Sequence, residues 1–586
     1  MKLSDLIKDF SKSVISKDYN ISSIASNSKN IQPGGLFIAV KGFKFDGHDY
    51  IDQAFSKGAI AVIAQTNPKN LKNVILVENS RLTMASVAAN FYGNPSKGMT
   101  LVGITGTNGK TTTTWLVESI FKTCGFSTGV IGTVNIRYKN LVFDNPVTTP
   151  DSIALQKTLY KMKKSGVTHV IMEVSSHGLD LNRVDYCHFD LGIFTNLSQD
   201  HLDYHKGMSE YFNCKKRFFT QCLGSSKKNN PIAIVNIDDP KGEILLKSIK
   251  YKTIAVSTQK KTDATGAAAI FSRDIKDDIR GLTGTFCLGA ATFDFASPLT
   301  GTFNLENILC AAGAAHALDI PYHQIKNGIE NCHTIPGRLE KIDNLIDRFL
   351  FVDYAHTPDA LESILVTLKQ RAPKRVIIIF GCGGDRDRSK RPLMGQVACK
   401  NSHIAIVTSD NPRTEHPDSI INDILEGIGG FHKLSENDLL LTPFKKGYLV
   451  ESDRKKAIEK AVSISKPGDI IIAAGKGHET YQITNNGTIH FDDKEELTKA
   501  AQKFADKFKP IPWTVDDLSK ALNTDPYFST INNNYNFAGI STDSRTILES
   551  QIFIALKGES FDGHTFIKTL VEKGIKGFIT DRKSVV

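Results

Sequence analysis

The chain has 586 residues, 40% hydrophobic and 23% charged, enough for three or four domains of an ordinary soluble protein. Its net charge of +10 is dispersed, with no basic block or groove-reading motif, so no nucleic-acid partner is expected and polyanionic small substrates suit the balance. Nine scattered cysteines without C-x-x-C spacing argue against a disulfide scaffold; with no apolar signal segment and no apolar run of about 18 residues, a cytoplasmic protein without a membrane span is expected.

Residues 1–98 read as a first unit, with strands at 36–40 and 59–64, a helix at 50–57 between them, and the turn Tyr92-Gly-Asn-Pro-Ser96 closing it. A second unit, 99–335, opens on the stretch around which the chain is organised, TLVGITGTNGKTTTTWLVESI from Thr100 to Ile120. Leu101 to Ile104 read as a buried strand, and Leu116 and Ile120 mark one face of a helix. The loop between them, Gly106-Thr107-Asn108-Gly109-Lys110-Thr111-Thr112, has the glycines that let backbone amides close on phosphates. Lys110 would reach the β- and γ-phosphates, and the Thr111 hydroxyl would sit on Mg²⁺. The usual front glycine is replaced by Ile104, so the loop is P-loop-like at its Gly-Lys-Thr end and a variant at its start.

Two further strands, 168–174 and 191–195, end in Glu173-Val-Ser175-Ser-His-Gly and Asn196-Leu-Ser-Gln-Asp-His201. Polar residues at the carboxyl ends of parallel strands mark a site, with Glu173 and His201 as candidate metal ligands. Residues 252–303 loosen into short alternating strands, and Gly301 to Asn307 opens an alanine-rich helix. Pro336-Gly337-Arg338 starts a third unit, 336–508. Its strands at 349–352, 375–380, 404–408 and 469–474 run into Asp353, Gly381 to Arg386, Ser409 to Arg413, and Gly475 to Glu479. Strands alternating with helices predict an α/β protein with mostly parallel sheets. Arg386 stands where a dinucleotide fingerprint needs its third glycine, which argues against a nicotinamide or flavin site.

TGTNGKTT, EVSSHGL, NLSQDHLDYH, GTFNLEN, PGRLE, VDYAHTPD and GCGGDRDRSKRP occur in this order and together resemble the Mur ligase family, over residues 1 to about 508. The resemblance implies three domains: an N-terminal UDP-binding α/β domain, a central P-loop ATPase domain and a C-terminal Rossmann-like domain. It also implies an ATP-dependent ligase of peptidoglycan precursor synthesis. The γ-phosphoryl of ATP would pass to the D-glutamate side chain of UDP-N-acetylmuramoyl-L-alanyl-D-glutamate, and an amine would then displace phosphate. Implied catalytic residues are Lys110, His201 and Lys215; Thr111, Glu173, His201 and Lys215 are implied Mg²⁺ ligands, Lys215 as a CO₂-derived carbamate. Asn304 and Asn307 match positions near adenine, and Arg338 and Asp353 positions near ribose and phosphates. Ser26, Ser28, Phe43, Lys44, Phe45, Thr148, Thr149, Ser175 and Arg183 match positions around the UDP-sugar dipeptide. Asn27 with Lys29, and Leu181, depart from the family's usual residues there.

Asp410-Asn411-Pro412-Arg413 has the form found in members that add meso-diaminopimelate. Arg413 offers a planar fork to the distal carboxylate of that amino acid, which L-lysine lacks. Arg386, Gly475 and Glu479 match other positions around it, Glu479 being suited to the distal ammonium. Other Mur ligases are potential partners. Rival readings are an L-lysine-adding homologue, a folylpolyglutamate synthetase, which lacks the first domain, and a nucleotide-binding scaffold that has lost catalysis.

The chain also repeats itself. Residues 540–580 align without gaps on 24–64 at a constant offset of 516, pairing Phe37-Ile-Ala39 with Phe553-Ile-Ala555 and Phe45-Asp-Gly-His48 with Phe561-Asp-Gly-His564. Residues 513–586 are therefore expected to be a second, truncated copy of the N-terminal domain, of the kind found in the ligase that adds D-alanyl-D-alanine. The sequence stops at Val586 before a second phosphate loop, so only the third-residue addition is expected.

Overall fold

In the computed structural model the first apolar runs become a parallel four-stranded sheet, Ile24–Ala25, Gly35–Ile38, Ala59–Ala64 and Val74–Leu76 in spatial order. The structure describes the chain except residues 11–17, 44, 202–203, 261–268, 289–290, 372–373, 436–437, 440–444, 508–512, 524–535, 545–546, 559–561 and 582–586. Successive strand residues point to opposite faces, so the sheet has two cores. Leu36, Ile38, Ala61 and Ile63 meet Leu3, Leu6, Met84 and Val87 on one side. Phe37, Ala39, Val62 and Ala64 meet Ile51 and Ala54 on the other. Packing divides the described chain into two compact units, Met1–Ala500 and Ala501–Val586.

The larger unit holds two more large sheets and a two-stranded hairpin of Tyr481–Thr484 and Gly487–His490. One has eleven strands, with Thr100–Thr105 flanked by Leu191–Phe194 and His169–Glu173 in parallel register. Both of its faces are covered, which is why its central strands read as unbroken apolar runs. The looser segment after residue 252 differs from the sequence expectation. Ile270–Asp278, Gly281–Leu288 and Ala291–Ser297 are long antiparallel strands that continue this sheet to its edge. Half-exposed edge strands alternate polar and apolar residues, so their length was obscured. The other sheet has six strands in the order Glu340–Ile342, Phe349–Asp353, Ile470–Ala474, Val376–Phe380, Ile404–Val407 and Gly447–Val450. All but the first pairing are parallel. The strands 349–353 and 376–380 flank 470–474, so connections leave in both directions from the carboxyl edge that carries Asp353, Gly381, Asp410 and Gly475.

The smaller unit has a parallel sheet of Gly539–Ser541, Gln551–Ile554 and Gly577–Ile579. Its core of Phe553, Ala555, Ile567, Leu570 and Ile575 falls, at the same offset of 516, on Phe37, Ala39, Ile51, Ala54 and Ala59. The Asp46–His48 pair (2.6 Å) recurs as Asp562–His564 (2.7 Å). The two segments therefore share packing as well as sequence.

Candidate functional site

The strand Thr100–Thr105 delivers the glycine loop to the N-terminus of the helix Lys110–Thr123. Gly106 (φ +155°) and Gly109 (φ +84°) cannot be replaced without strain. A Cβ would lie 1.9 Å from Thr195 Oγ1 at the first and 2.1 Å from Asn307 Oδ1 at the second. The segment after Leu191–Phe194 holds the loop's shape. The Thr107 N–H donates to Asn196 O (3.0 Å) and the Asn108 N–H to Asn196 Oδ1 (2.9 Å), while Thr195 Oγ1 donates to Asn108 O (2.7 Å).

Lys110 Nζ folds back to donate to Gly106 O (3.0 Å) and Thr107 O (2.8 Å). Burial pulls its pKa below the ordinary lysine range, opposed by Glu173 and Asp200. Thr111 Oγ1 donates to Glu173 Oε1 (3.0 Å), and Arg338 Nη2 donates to Thr111 Oγ1 (3.2 Å). Thr112 is buried beside them. The Thr133 N–H and hydroxyl donate to Glu173 at 2.9 and 2.8 Å, and Thr133 Oγ1 lies 3.1 Å from Thr148 Oγ1. His201 (φ +55°) places Nε2 3.4 Å from Asp200 Oδ2. Burial lowers its pKa to about 3, so the imidazole is neutral, as a metal ligand must be.

Lys215 and Lys216 are neighbours on the helix Met208–Arg217 with opposite fates. Lys215 is 1% exposed and donates from Nζ to Gly106 O (2.7 Å), whereas Lys216 is half-buried. Burial, with Lys110 nearby, holds Lys215 well below the ordinary lysine range. On the other side of the loop, Thr113 Oγ1 donates to Asn307 Oδ1 (3.4 Å), and Asn307 Nδ2 donates to Asn304 Oδ1 (3.3 Å). The Arg338 guanidinium lies 4.5 Å over the Tyr354 ring. Asp353 accepts from the N–H groups of Leu339 (2.5 Å) and Ala355 (2.6 Å), and burial raises it to about 6 despite Arg338.

Thr149 Oγ1 donates to Glu173 O (2.9 Å) and accepts from the Ser175 N–H (3.0 Å), and Arg183 Nη1 donates to Thr149 O (2.7 Å). Thr149 thus links Ser175 and Arg183 to the backbone of Glu173. Phe43 and Phe45 are exposed, and Phe43 meets the Tyr204 ring edge-on at 5.7 Å. Lys44, between them, lies outside the described residues. Ser28 Oγ donates to Gln53 Oε1 (2.5 Å), and Ser26 is half-buried nearby in sequence.

The amino-acid candidates gather at the six-stranded sheet. Asp410 Oδ1 accepts from the Asn411 N–H (2.7 Å), and Asn411 Nδ2 donates to Glu479 Oε2 (2.7 Å). Pro412 O closes the turn by accepting from the Glu415 N–H (3.0 Å). Arg413 (φ +53°) donates from Nη1 to Gly384 O (2.7 Å), while Arg386 is exposed. Gly475 (φ +112°) turns the chain away from its strand toward Glu479, whose pKa burial and Asp410 push up. Sequence reasoning passed over three residues here. Thr133 carries no motif signal. Arg454 lies in a helix far from the quoted motifs. Lys476 stood inside the quoted Gly475–Glu479 run, and its complete burial is what marks it.

The Thr111 hydroxyl and Glu173 carboxylate are hard oxygen donors beside Lys110, and they fit Mg²⁺. Among the described residues, no group of three or more His, Cys, Asp or Glu could hold a metal ion. A magnesium ion here would therefore complete its shell with phosphate oxygens and water.

A phosphate loop whose threonine meets an arginine from the turn before a second sheet is suited to phosphoryl transfer from a nucleotide. The profile of the Mur ligase middle domain matches residues 104–315, and that of the Mur ligase glutamate ligase domain matches 337–477. The profile of the Mur ligase family catalytic domain matches twice, at 20–92 and 536–586. The chain belongs to the Mur ligase family, whose members are ATP-dependent amide-bond-forming ligases. It is 42% identical over 514 residues to the UDP-N-acetylmuramoyl-L-alanyl-D-glutamate–2,6-diaminopimelate ligase of Geobacter metallireducens, covering 86% of this chain and 99% of that one. The ligase of the same name from Bacillus licheniformis is 38% identical over 500 residues, covering 85% and 98%. A solved structure of a ligase of that name superposes with a TM-score of 0.61 at 30% identity, covering 86% of this chain and 99% of the other.

Proposed function

We propose that this chain joins meso-2,6-diaminopimelate to UDP-N-acetylmuramoyl-L-alanyl-D-glutamate at the cost of ATP, in peptidoglycan precursor synthesis in the cytoplasm. The observation that carries the reading is the convergence of Lys110, Thr111, Glu173 and Arg338 on one loop mouth, in a chain whose relatives carry that activity in their names. Lys110 leaves its loop carbonyls to neutralise the γ-phosphoryl as it passes to the D-glutamate carboxylate. Mg²⁺, held by Thr111 and Glu173 and with His201 within reach, would neutralise phosphate charge. Arg338 adds a second cation from the turn before the C-terminal sheet, and Asn304 and Asn307, bonded to each other, would contact the base. Thr149, Ser175 and Arg183 orient the dipeptide, while Ser26, Ser28 and the loop from Phe43 to Phe45 hold the uridine end.

Burial, with Lys110 nearby, holds the Lys215 amine well below the ordinary lysine range, which favours the neutral form that reacts with CO₂. A carbamate there would present oxygens in place of an ammonium, which suits a second Mg²⁺. The amine of diaminopimelate then attacks the acyl phosphate and phosphate leaves. Asp410 to Arg413 and Glu479 hold the far end of the amino acid, Arg413 facing its carboxylate. The test is mass spectrometry of the product formed from ATP, the UDP-muramoyl-dipeptide and a mixture of amino acids. A meso-diaminopimelate adduct is expected; equal or better incorporation of L-lysine would sink the assignment.

A further inference from the structure

Lys476 is fully buried, with no exposed side-chain surface. Its ammonium donates to Tyr481 O (2.5 Å), to Glu479 Oε2 (3.2 Å) and toward Asn411 Oδ1 (3.5 Å). It therefore sits where three segments meet: the loop after Ile404–Val407, the loop after Ile470–Ala474, and the hairpin of Tyr481–Thr484 and Gly487–His490. The Asn411 side chain is held at both ends, donating to Glu479 Oε2 (2.7 Å) and accepting from the Ile483 N–H (2.9 Å). Gln482 Nε2 donates to Asp410 O (2.6 Å), and the Arg413 N–H donates to Ile483 O (3.0 Å), so the hairpin is stitched to the whole 410–413 turn.

Resting on the amino-acid choice proposed above, we infer that Lys476 is a positioning residue that sets amino-acid selectivity by locking Glu479 and Asn411 in one arrangement and cancelling one of the two carboxylate charges. The physical argument has two parts. Asp410 and Glu479 are two carboxylates in one buried site, and without an internal cation they favour a ligand with excess positive charge. Lys476 removes that excess. An amino acid attacking through a neutral amine is then discriminated by its far end. Diaminopimelate brings a carboxylate and an ammonium together, whereas L-lysine brings the ammonium alone. The second part is geometric. A carboxylate held by two donors cannot swing toward a lone ammonium, so Glu479 accepts only a ligand that also reaches Arg413.

The experiment compares Lys476→Met, Lys476→Gln and Lys476→Arg with the wild type in the full chain. Three readouts are taken: kcat and KM for meso-diaminopimelate, the same for L-lysine, and hydroxamate formation with hydroxylamine. Hydroxylamine attacks the acyl phosphate, forming the hydroxamate and releasing phosphate, and has no distal groups to recognise. In the Met and Gln variants KM for meso-diaminopimelate should rise and its preference over L-lysine should fall by about ten- to a hundred-fold, the loss of a charged buried hydrogen bond. Hydroxamate formation and KM for ATP should stay within about two-fold, because neither involves the amino-acid far end. Lys476→Arg, which retains the cation, should keep most of the preference.

An unchanged preference in a folded Met or Gln variant overturns the proposal. So does equal loss of hydroxamate formation, or unfolding of both variants, since each assigns Lys476 a purely structural role. A wild-type enzyme that forms hydroxamate but uses neither amino acid would instead refute the amino-acid choice itself.

Discussion

Removing one partner of the Arg454–Asp493 pair tests how the C-terminal sheet supports its loops. Both side chains are fully buried, with Arg454 Nε 2.7 Å from Asp493 Oδ1 and Nη2 2.6 Å from Oδ2. The same guanidinium donates to Ala474 O (2.9 Å) and Ser409 O (3.3 Å), the carbonyls just before Gly475 and Asp410. Asp493→Ala deletes two charge-assisted bonds and leaves a buried guanidinium without its bonded carboxylate, with only the more distant charges of Asp410 and Glu479 to offset it. Breaking a buried pair in this way costs about 3–5 kcal/mol. That cost should lower the melting temperature by more than about a degree. The double replacement Arg454→Met with Asp493→Leu removes both charges, and its stability should return to near wild type or above. The double variant still loses the two bonds to the loop carbonyls, so KM for meso-diaminopimelate should stay raised. Calorimetry reads the first effect, and phosphate release against amino-acid concentration reads the second. The reasoning is refuted if Asp493→Ala melts within about a degree of wild type, or if the double variant recovers both stability and KM.

Lys110→Ala should abolish acceptor-dependent phosphate release while its melting temperature stays close to wild type, because its ammonium serves the phosphoryl group rather than a core. Near-wild-type turnover would remove the loop from the mechanism. Lys215→Ala should be nearly inactive and partly restored by short carboxylates, Lys216→Ala should be mild, and labelled CO₂ should give a carbamate signal only while Lys215 is present. The reverse pattern would place the functional amine one residue on. Deleting residues 513–586 should leave meso-diaminopimelate ligation largely unchanged, since relatives are matched over 98–99% of their length by about 85% of this chain. Loss of activity in that deletion, or addition of D-alanyl-D-alanine by the intact chain, would overturn this reading of the repeat.

Much of the site's chemistry was legible in the sequence because its parts are contiguous. A phosphate loop must be a short glycine run between a strand and a helix, so Gly106 to Thr112 announces itself. Parallel strands buried on both faces appear as apolar runs, and their carboxyl ends point to Glu173, Asp353 and Asp410. The repeat is equally a property of the string, since one offset carries an entire core from Phe37 to Phe553. Tertiary structure decided what depends on packing between distant segments. Arg338 reaches Thr111 across 227 residues, and no local pattern encodes that approach. Adjacent lysines at 215 and 216 are alike in sequence, and only the turn of a packed helix buries one against Gly106. The same holds for Lys476 and Arg454, charged residues that look like surface in the sequence. Arg454 is buried against the Asp493 carboxylate and the carbonyls of Ser409 and Ala474, and Lys476 against its neighbours Glu479 and Tyr481 and the distant Asn411.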